Sequence, residues 1–234
     1  MAKPTVNNRK IVVLSGAGLS AASGLATFRA SGGLWEKHRI EDVATPEGWH
    51  RNPDLVLEFY NQRRAAAAAA QPNAGHLAIA SLESHFEVIV ITQNVDDLHE
   101  RAGSKNVIHL HGELRKVRSS LDDSLVHDIG AAPILRGDLC AKGSQLRPHI
   151  VWFGEEVLLF DEAKKHFTDS GKVLVVGTSL SVFPAANLVE YARFSAEKIL
   201  VDVDPGDKPS GFRVLKGPAE SLLPILTKKW CTGK

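Results

Sequence analysis

Residues Ile11-Val12-Val13-Leu14-Ser15 form a β-branched apolar run that passes directly into Gly16-Ala17-Gly18-Leu19-Ser20-Ala21. A run of this kind reads as a strand buried on both faces, which a parallel sheet covered by helices provides. Glycines spaced GxGxxA after a strand let the backbone turn tightly and approach a pyrophosphate, whose charge the next helix N-terminus favours. The loop alone also reads as a plain structural turn, and its strand context is what favours a dinucleotide. An ordinary dinucleotide oxidoreductase adds a second strand ending in an acidic residue about 20 residues on. Here that place holds Leu34-Trp35-Glu36-Lys37-His38, which has no strand pattern. The layout departs from that of a dehydrogenase.

Further apolar runs occur at Val88–Thr92, Val107–Leu110, Ile150–Phe153, Val173–Val176 and Ile199–Val203. Helix-like stretches lie between them at Pro53–Ala70, Asn73–Ser84, Asp161–Asp169 and Pro184–Phe194. The alternation predicts an α/β fold, a Rossmann-like doubly wound parallel sheet. Two segments break it. Residues 32–71 are mostly helical and end in the alanine run Ala65–Ala70, a strong helix former read as helix surface. Residues 115–148 are polar and irregular. Together these predict a small inserted module on a core made of about 8–31, 72–114 and 149–226, within a single catalytic domain. The tail from Lys228 to Lys234 reads as frayed.

Lys plus Arg total 28 and Asp plus Glu total 27, a balance that offers no electrostatic footprint for nucleic acid or an anionic membrane. Met1–Lys10 is polar and unlike a secretory signal, and no stretch approaches the roughly 18 apolar residues of a spanning helix. Cys140 and Cys231 are the only cysteines and make no CxxC pair, which predicts a reducing, cytoplasmic setting.

The loop continues as Gly16-Ala17-Gly18-Leu19-Ser20-Ala21-Ala22-Ser23-Gly24-Leu25-Ala26-Thr27-Phe28-Arg29. Thr92-Gln93-Asn94-Val95-Asp96, His109-Leu110-His111-Gly112, Val151-Trp152-Phe153-Gly154-Glu155, Gly177-Thr178-Ser179 and Gly217-Pro218-Ala219 follow in order. This series resembles the sirtuins, NAD-dependent protein lysine deacylases, and is most similar to their bacterial class III members. It spans about Ile11 to Leu226.

The resemblance implies that NAD lies along Gly16, Ala17, Gly18, Ser20, Ala21, Thr27, Phe28, Arg29, Gln93, Gly177, Thr178, Ser179 and Ala219. Phe28 would shield the reacting ribose and Arg29 lie beside the phosphate–ribose region. His111 would take a proton from the ribose hydroxyls, while Asp96 holds the nicotinamide carboxamide and Asn94 lies near the ribose or a structural water. His111 also makes chemical sense, since histidine titrates near neutrality and follows a strand at the sheet's carboxyl edge. Asn94 and Asp96, two residues apart, can face one pocket. His109 reads as structural. The adenosine ribose would be bound by Asp202 or, if the alignment slips, Asp204. Val151, Trp152, Phe153, Gly154 and Glu155 would bind acylated lysine of protein substrates.

Tyr60 and Arg63 are three apart on a predicted helix and share a face, which by itself reads as solvated surface. A guanidinium fork beside a phenol is also a carboxylate receptor. In class III sirtuins this YxxR pattern implies succinyl, malonyl or glutaryl groups as substrates, with nicotinamide and O-acyl-ADP-ribose as products. Most sirtuins also bind a structural zinc through two cysteine pairs. Here those places are near Ser119 and Ser120 and within Cys140–Ser144, where one cysteine remains, so zinc is expected to be absent. Leu121, Leu125, Val126, Ile129, Ile134, Leu135 and Leu139 are then expected to form a substitute core. A protein ADP-ribosyltransferase and a catalytically dead binder of NAD or acyl-lysine stay open as alternatives.

Overall fold

The computed structural model describes residues 7–27, 38–206 and 208–233. Phe28, Arg29 and the Leu34–Lys37 segment therefore lie outside the described residues. In chain order the elements begin with β1 (Asn7–Ser15) and α1 (Ala17–Ser20). Next come α2 (Ile40–Val43), α3 (Pro46–Arg51), α4 (Pro53–Ala69), α5 (Ala74–Ser81), β2 (Glu87–Thr92) and α6 (Leu98–Arg101). They are followed by β3 (Val107–His109), β4 (Gly112–Ser119), β5 (Val126–Asp128), β6 (Leu146–Ile150), α7 (Phe160–Asp169) and β7 (Ser170–Val176). The last are β8 (Glu197–Asp202), β9 (Arg213–Lys216) and α8 (Ala219–Thr232).

Six strands form a parallel sheet in the order β3-β2-β1-β7-β8-β9. The chain first winds outward from β1 one way and later from β7 the other, so the winding reverses between these two central strands. That crevice, at the strands' carboxyl ends, is where an open α/β sheet binds ligands. The central strands alternate between two buried faces. Ile11, Val13, Val88, Val90, Leu174 and Val176 pack under α5 and α8, with Ile79, Leu82, Leu223, Leu226 and Trp230. Val12, Leu14, Ile89, Ile91, Val173 and Val175 pack on the other face, against Ala163, Phe167 and Leu188. Burial on both sides is why these strands read as unbroken apolar runs.

A third core joins the helices of residues 40–69 to a second, antiparallel sheet in the order β5-β4-β6. Val43, Trp49, Val56, Phe59 and Tyr60 meet Leu114, Val117, Leu146, Ile150 and Trp152 there. The Thr45 and Asn52 side chains cap α3 and α4, each followed by proline, and Asn73 caps α5.

Several expectations are corrected. Residues 115–148 are irregular only in part, because they carry the end of β4, all of β5 and the start of β6. The predicted strand Ile150–Phe153 is displaced, since β6 ends at Ile150. Pro184–Phe194 is a 3-10 helix over Ala185–Tyr191. The tail is ordered helix to Thr232, because Trp230 is buried in the first core and its indole donates to Glu197 at 3.1 Å. Of the proposed substitute core only Ile134 is fully buried, with Leu125 and Ile129 partly buried against the third core. Leu121, Val126, Leu135 and Leu139 are exposed.

Candidate functional site

The loop after β1 lies against the loop after β7. Gly16 N donates to Val176 O at 3.0 Å and Gly18 N to Gly177 O at 2.8 Å. A Cβ on Gly16 would stand 2.6 Å from the Thr178 Cβ, and one on Gly18 2.9 Å from the Gly177 Cα. These glycines are therefore required by loop-on-loop packing as well as by any ligand. The helix expected after the loop is a single turn, α1, continued by a 3-10 turn.

A cleft of about 450 Å³ opens at this crevice. It is lined by Gly16, Ala17, Gly18 and Thr27 from the first loop, by Gln93, Asn94 and His111, by Gly177, Thr178 and Ser179, and by Asp202 and Asp204. Tyr60, Arg63, Val151, Trp152, Phe153, Gly154 and Glu155 line it too. A side chamber of about 230 Å³ adjoins it through Ala17, Arg63, Asn94 and Val95, and adds Ser20 and Asp96. Ala21 is exposed and Ala219 is buried beneath the sheet, and neither lines the cleft or the side chamber. Val182, Phe183 and Pro184 also line the cleft and were not singled out from the sequence. Their signal is a short apolar run set in the serine-containing loop that follows Ser179.

Three successive carbonyls of the loop after β2 are held by the segment that carries the histidines. His111 Nδ1 bonds Gln93 O at 3.1 Å, His109 Nδ1 bonds Asn94 O at 3.1 Å, and Leu114 N donates to Val95 O at 2.8 Å. With Nδ1 bound to a carbonyl, His111 Nε2 is its acceptor, and burial pushes its pKa down, so the ring is neutral at pH 7. His109 differs. Burial opposes its charge, but the Glu100 carboxylate at 2.7 Å outweighs that and raises its pKa. His109 is thus a clamp between Asn94 and Glu100.

Ser20 links the two polar residues of the side chamber. Asn94 Nδ2 donates to Ser20 Oγ and to Gly16 O, both at 3.1 Å, and Ser20 Oγ donates to Asp96 Oδ2 at 3.1 Å. Burial raises the Asp96 pKa against the opposing bonds from Leu98 N–H and Ser20. Gln93 accepts from Thr178 Oγ1 at 2.7 Å, while its buried amide nitrogen has no partner among the described residues. Asp202 Oδ1 accepts from Asp204 N at 2.9 Å. A side-chain-free glycine loop, hydroxyls, a spare amide donor and a carboxylate at the far end fit an extended dinucleotide.

Residues 151–153 bridge the two halves, as Val151 N donates to His111 O and Phe153 N to Ala44 O, each at 3.0 Å. The Glu155 carboxylate, at the cleft wall, is gripped by the protein itself. Arg118 donates to both its oxygens at 2.9 Å, Arg147 adds bonds of 2.8 and 3.0 Å, and Trp152 N donates at 2.8 Å. Burial alone would raise its pKa, but these partners, Arg147 foremost, hold it low.

The places expected for zinc do converge. Ser119 Oγ and Ser144 Oγ are 2.8 Å apart, and Cys140 Sγ lies 3.4 and 3.1 Å from them. One thiol and two hydroxyls in mutual hydrogen bonding do not fit a site that wants four nitrogen or sulfur ligands. Asp128 is paired with Arg115 at 2.6 Å, and no cluster of three His, Cys, Asp or Glu suited to a metal occurs among the described residues.

The Sir2 family model matches residues 16–184. An NAD-dependent protein deacylase of Bacteroides thetaiotaomicron is 50% identical over 204 residues, covering 85% of this chain and 87% of that protein. A Sir2 homologue–NAD complex superposes with a TM-score of 0.86 at 37% identity, covering 97% of this chain and 91% of the other. A Sir2–p53 peptide–NAD+ complex gives 0.77 at 26% identity, covering 96% and 94%. The ordered motifs, the crevice they line and these similarities agree, and the chain belongs to the Sir2 family.

Proposed function

We propose that this chain is an NAD-dependent protein lysine deacylase whose acyl pocket prefers acidic groups such as succinyl or malonyl while also admitting acetyl. The supporting observation is that Tyr60 and Arg63 line the same cleft as His111 and the Gly16–Gly18 loop. Tyr60 is held protonated by burial, which raises its pKa, so it offers a proton to a carboxylate. Burial lowers the Arg63 pKa, offset by Tyr60 and Asp96, and a guanidinium remains a cation at pH 7.

NAD, when bound, supplies the ribose that receives the acyl group, with nicotinamide and O-acyl-ADP-ribose as products. The chain's own residues prepare this. His111 Nε2 accepts a proton from a ribose hydroxyl. Asn94, Ser20 and Asp96 hold polar groups in the side chamber, and Thr178, Ser179, Gln93 and Asp202 line the cofactor's path. Residues 151–153 present acyl-lysine between His111 and Ala44. Phe28, Arg29, Ala21 and Ala219 keep only the support of the family resemblance. Two free, widely separated cysteines suit a reducing compartment, which we take to be the cytoplasm. Among the described residues no helix is long and apolar enough to cross a membrane.

The test is to incubate the protein with NAD and matched succinyl-, acetyl- and unmodified-lysine peptides, following peptide mass and nicotinamide. Loss of the succinyl mass with stoichiometric nicotinamide is expected. Removal of acetyl alone overturns the acidic preference. ADP-ribosylated protein without acyl-ADP-ribose favours a transferase, and no turnover favours a binding module.

A further inference from the structure

We propose that Trp152 is a positioning residue that sets acyl specificity. Its indole N–H fills the acceptor side of the Tyr60 hydroxyl and leaves that hydroxyl's proton for an acidic acyl carboxylate, which rests on the acidic-acyl reading above. The Trp152 Nε1–H donates to Tyr60 Oη at 3.1 Å. An indole nitrogen is a donor only, so in this pair the tyrosine oxygen must accept. The phenol proton cannot point back at the indole, and Tyr60 lines the cleft beside Arg63. Accepting one hydrogen bond also strengthens a hydroxyl as a donor, because bonds in a chain polarise one another.

The indole has little freedom to leave. Trp152 is 2% exposed. The Arg147 guanidinium sits 3.4 Å from its ring centroid, and Trp49 packs at 5.9 Å. Its backbone N–H is held by Glu155, which Arg118 on β4 and Arg147 on β6 grip together. Val151 and Phe153 are pinned on either side to His111 and Ala44. A rigid path therefore runs from the antiparallel sheet through Glu155 and Trp152 to one hydroxyl in the acyl pocket. A tyrosine with a free acceptor lone pair would meet an acyl carboxylate with repulsion in some of its orientations. The indole removes that option.

The test compares kcat/KM for succinyl- and acetyl-lysine peptides in wild type, Trp152→Phe, Tyr60→Phe and the double variant. Trp152→Phe keeps a ring and deletes the N–H. The succinyl-to-acetyl ratio is expected to fall roughly tenfold, the scale of one hydrogen bond to a charged group. The double variant should have the ratio of Tyr60→Phe alone, since both changes remove one coupled interaction. If Trp152→Phe does not fold, 3-benzothienylalanine at position 152 preserves the ring shape without the N–H. Equal losses on both peptides, or single effects that multiply in the double variant, overturn the role of Trp152. A wild type that prefers acetyl overturns the acidic reading and this role together. A wild type that prefers succinyl, with a ratio unmoved by the change at 152, overturns this role only.

Discussion

At the residue scale, the carbonyl of Gln93 sets the form of His111, the proposed base. It fixes the tautomer with the proton on Nδ1, and burial lowers the pKa below the ordinary 6.5. A base acts when unprotonated, so activity is retained above its folded pKa and lost as pH falls through it. The acid limb of kcat/KM is therefore expected to have its midpoint below 6.5. His111→Ala is expected to cost about 10²- to 10⁴-fold in kcat and to abolish that limb. A midpoint at or above 6.5 would show that the cleft does not desolvate the ring. Sequence made His111, Asn94 and the glycine loop legible, because each follows an apolar strand in an ordered motif. It did not reveal that His109 is clamped by Glu100, that Glu155 is spent on two arginines, or that Trp152 reaches Tyr60. Those facts depend on partners 8 to 92 positions away.

At the element scale, Gly112 is the joint between the parallel sheet and β4. It has φ of +80°, and a Cβ there would overlap the His149 carbonyl across the β4–β6 ladder. Gly112→Ala faces both the left-handed backbone penalty and this collision, and is expected to lower stability by about 3 kcal/mol in urea unfolding. It should also lower kcat, because the next residue back is His111, whose carbonyl is bound by Val151. A loss under 1 kcal/mol would mean that the strand pair shifts freely. The strands this joint leads into were invisible in the sequence for a physical reason. The parallel strands are buried on both faces and read as apolar runs. Strand β5 is exposed throughout and β6 reads Leu-Arg-Pro-His-Ile, so neither has an apolar stripe to detect. The long helix α4 was legible because an asparagine cap, a proline and an alanine-rich end mark it along its length.

At the scale of the whole molecule, stability rests on three cores and on polar groups buried between them. His76 and His99 meet edge to face at 5.1 Å, and burial holds the first down to about 4 and the second well below 6.5. Between about 4 and 6.5 the unfolded chain binds protons that the native His76 does not, so stability rises with pH there and is lost on acidification. Calorimetry at pH 7 and pH 5 should show a drop in Tm, with a smaller drop in His76→Gln. The second sheet poses the larger question of what joins its loops. Ser119 Oγ accepts from Leu121 N and Asp122 N at 3.1 Å, Cys140 Sγ accepts from Lys142 N at 3.3 Å, and Lys142 pairs with Asp122 at 2.6 Å across the gap. The serine hydroxyls, Ser119 first, hold the Cys140 thiol down to about 6. Each loop thus folds onto its own side chain and the two meet through Ser119, Cys140 and Ser144. A structural zinc contributes folding energy that a chelator takes away. A hydrogen-bonded joint has no such dependence, so excess EDTA or phenanthroline should leave both Tm and deacylation unchanged. Ser144→Ala should lower Tm, because it strips Cys140 and Ser119 of a shared partner. Elemental analysis giving one zinc per chain, or a fall in Tm on chelation, would overturn this expectation and require ligands outside this triad.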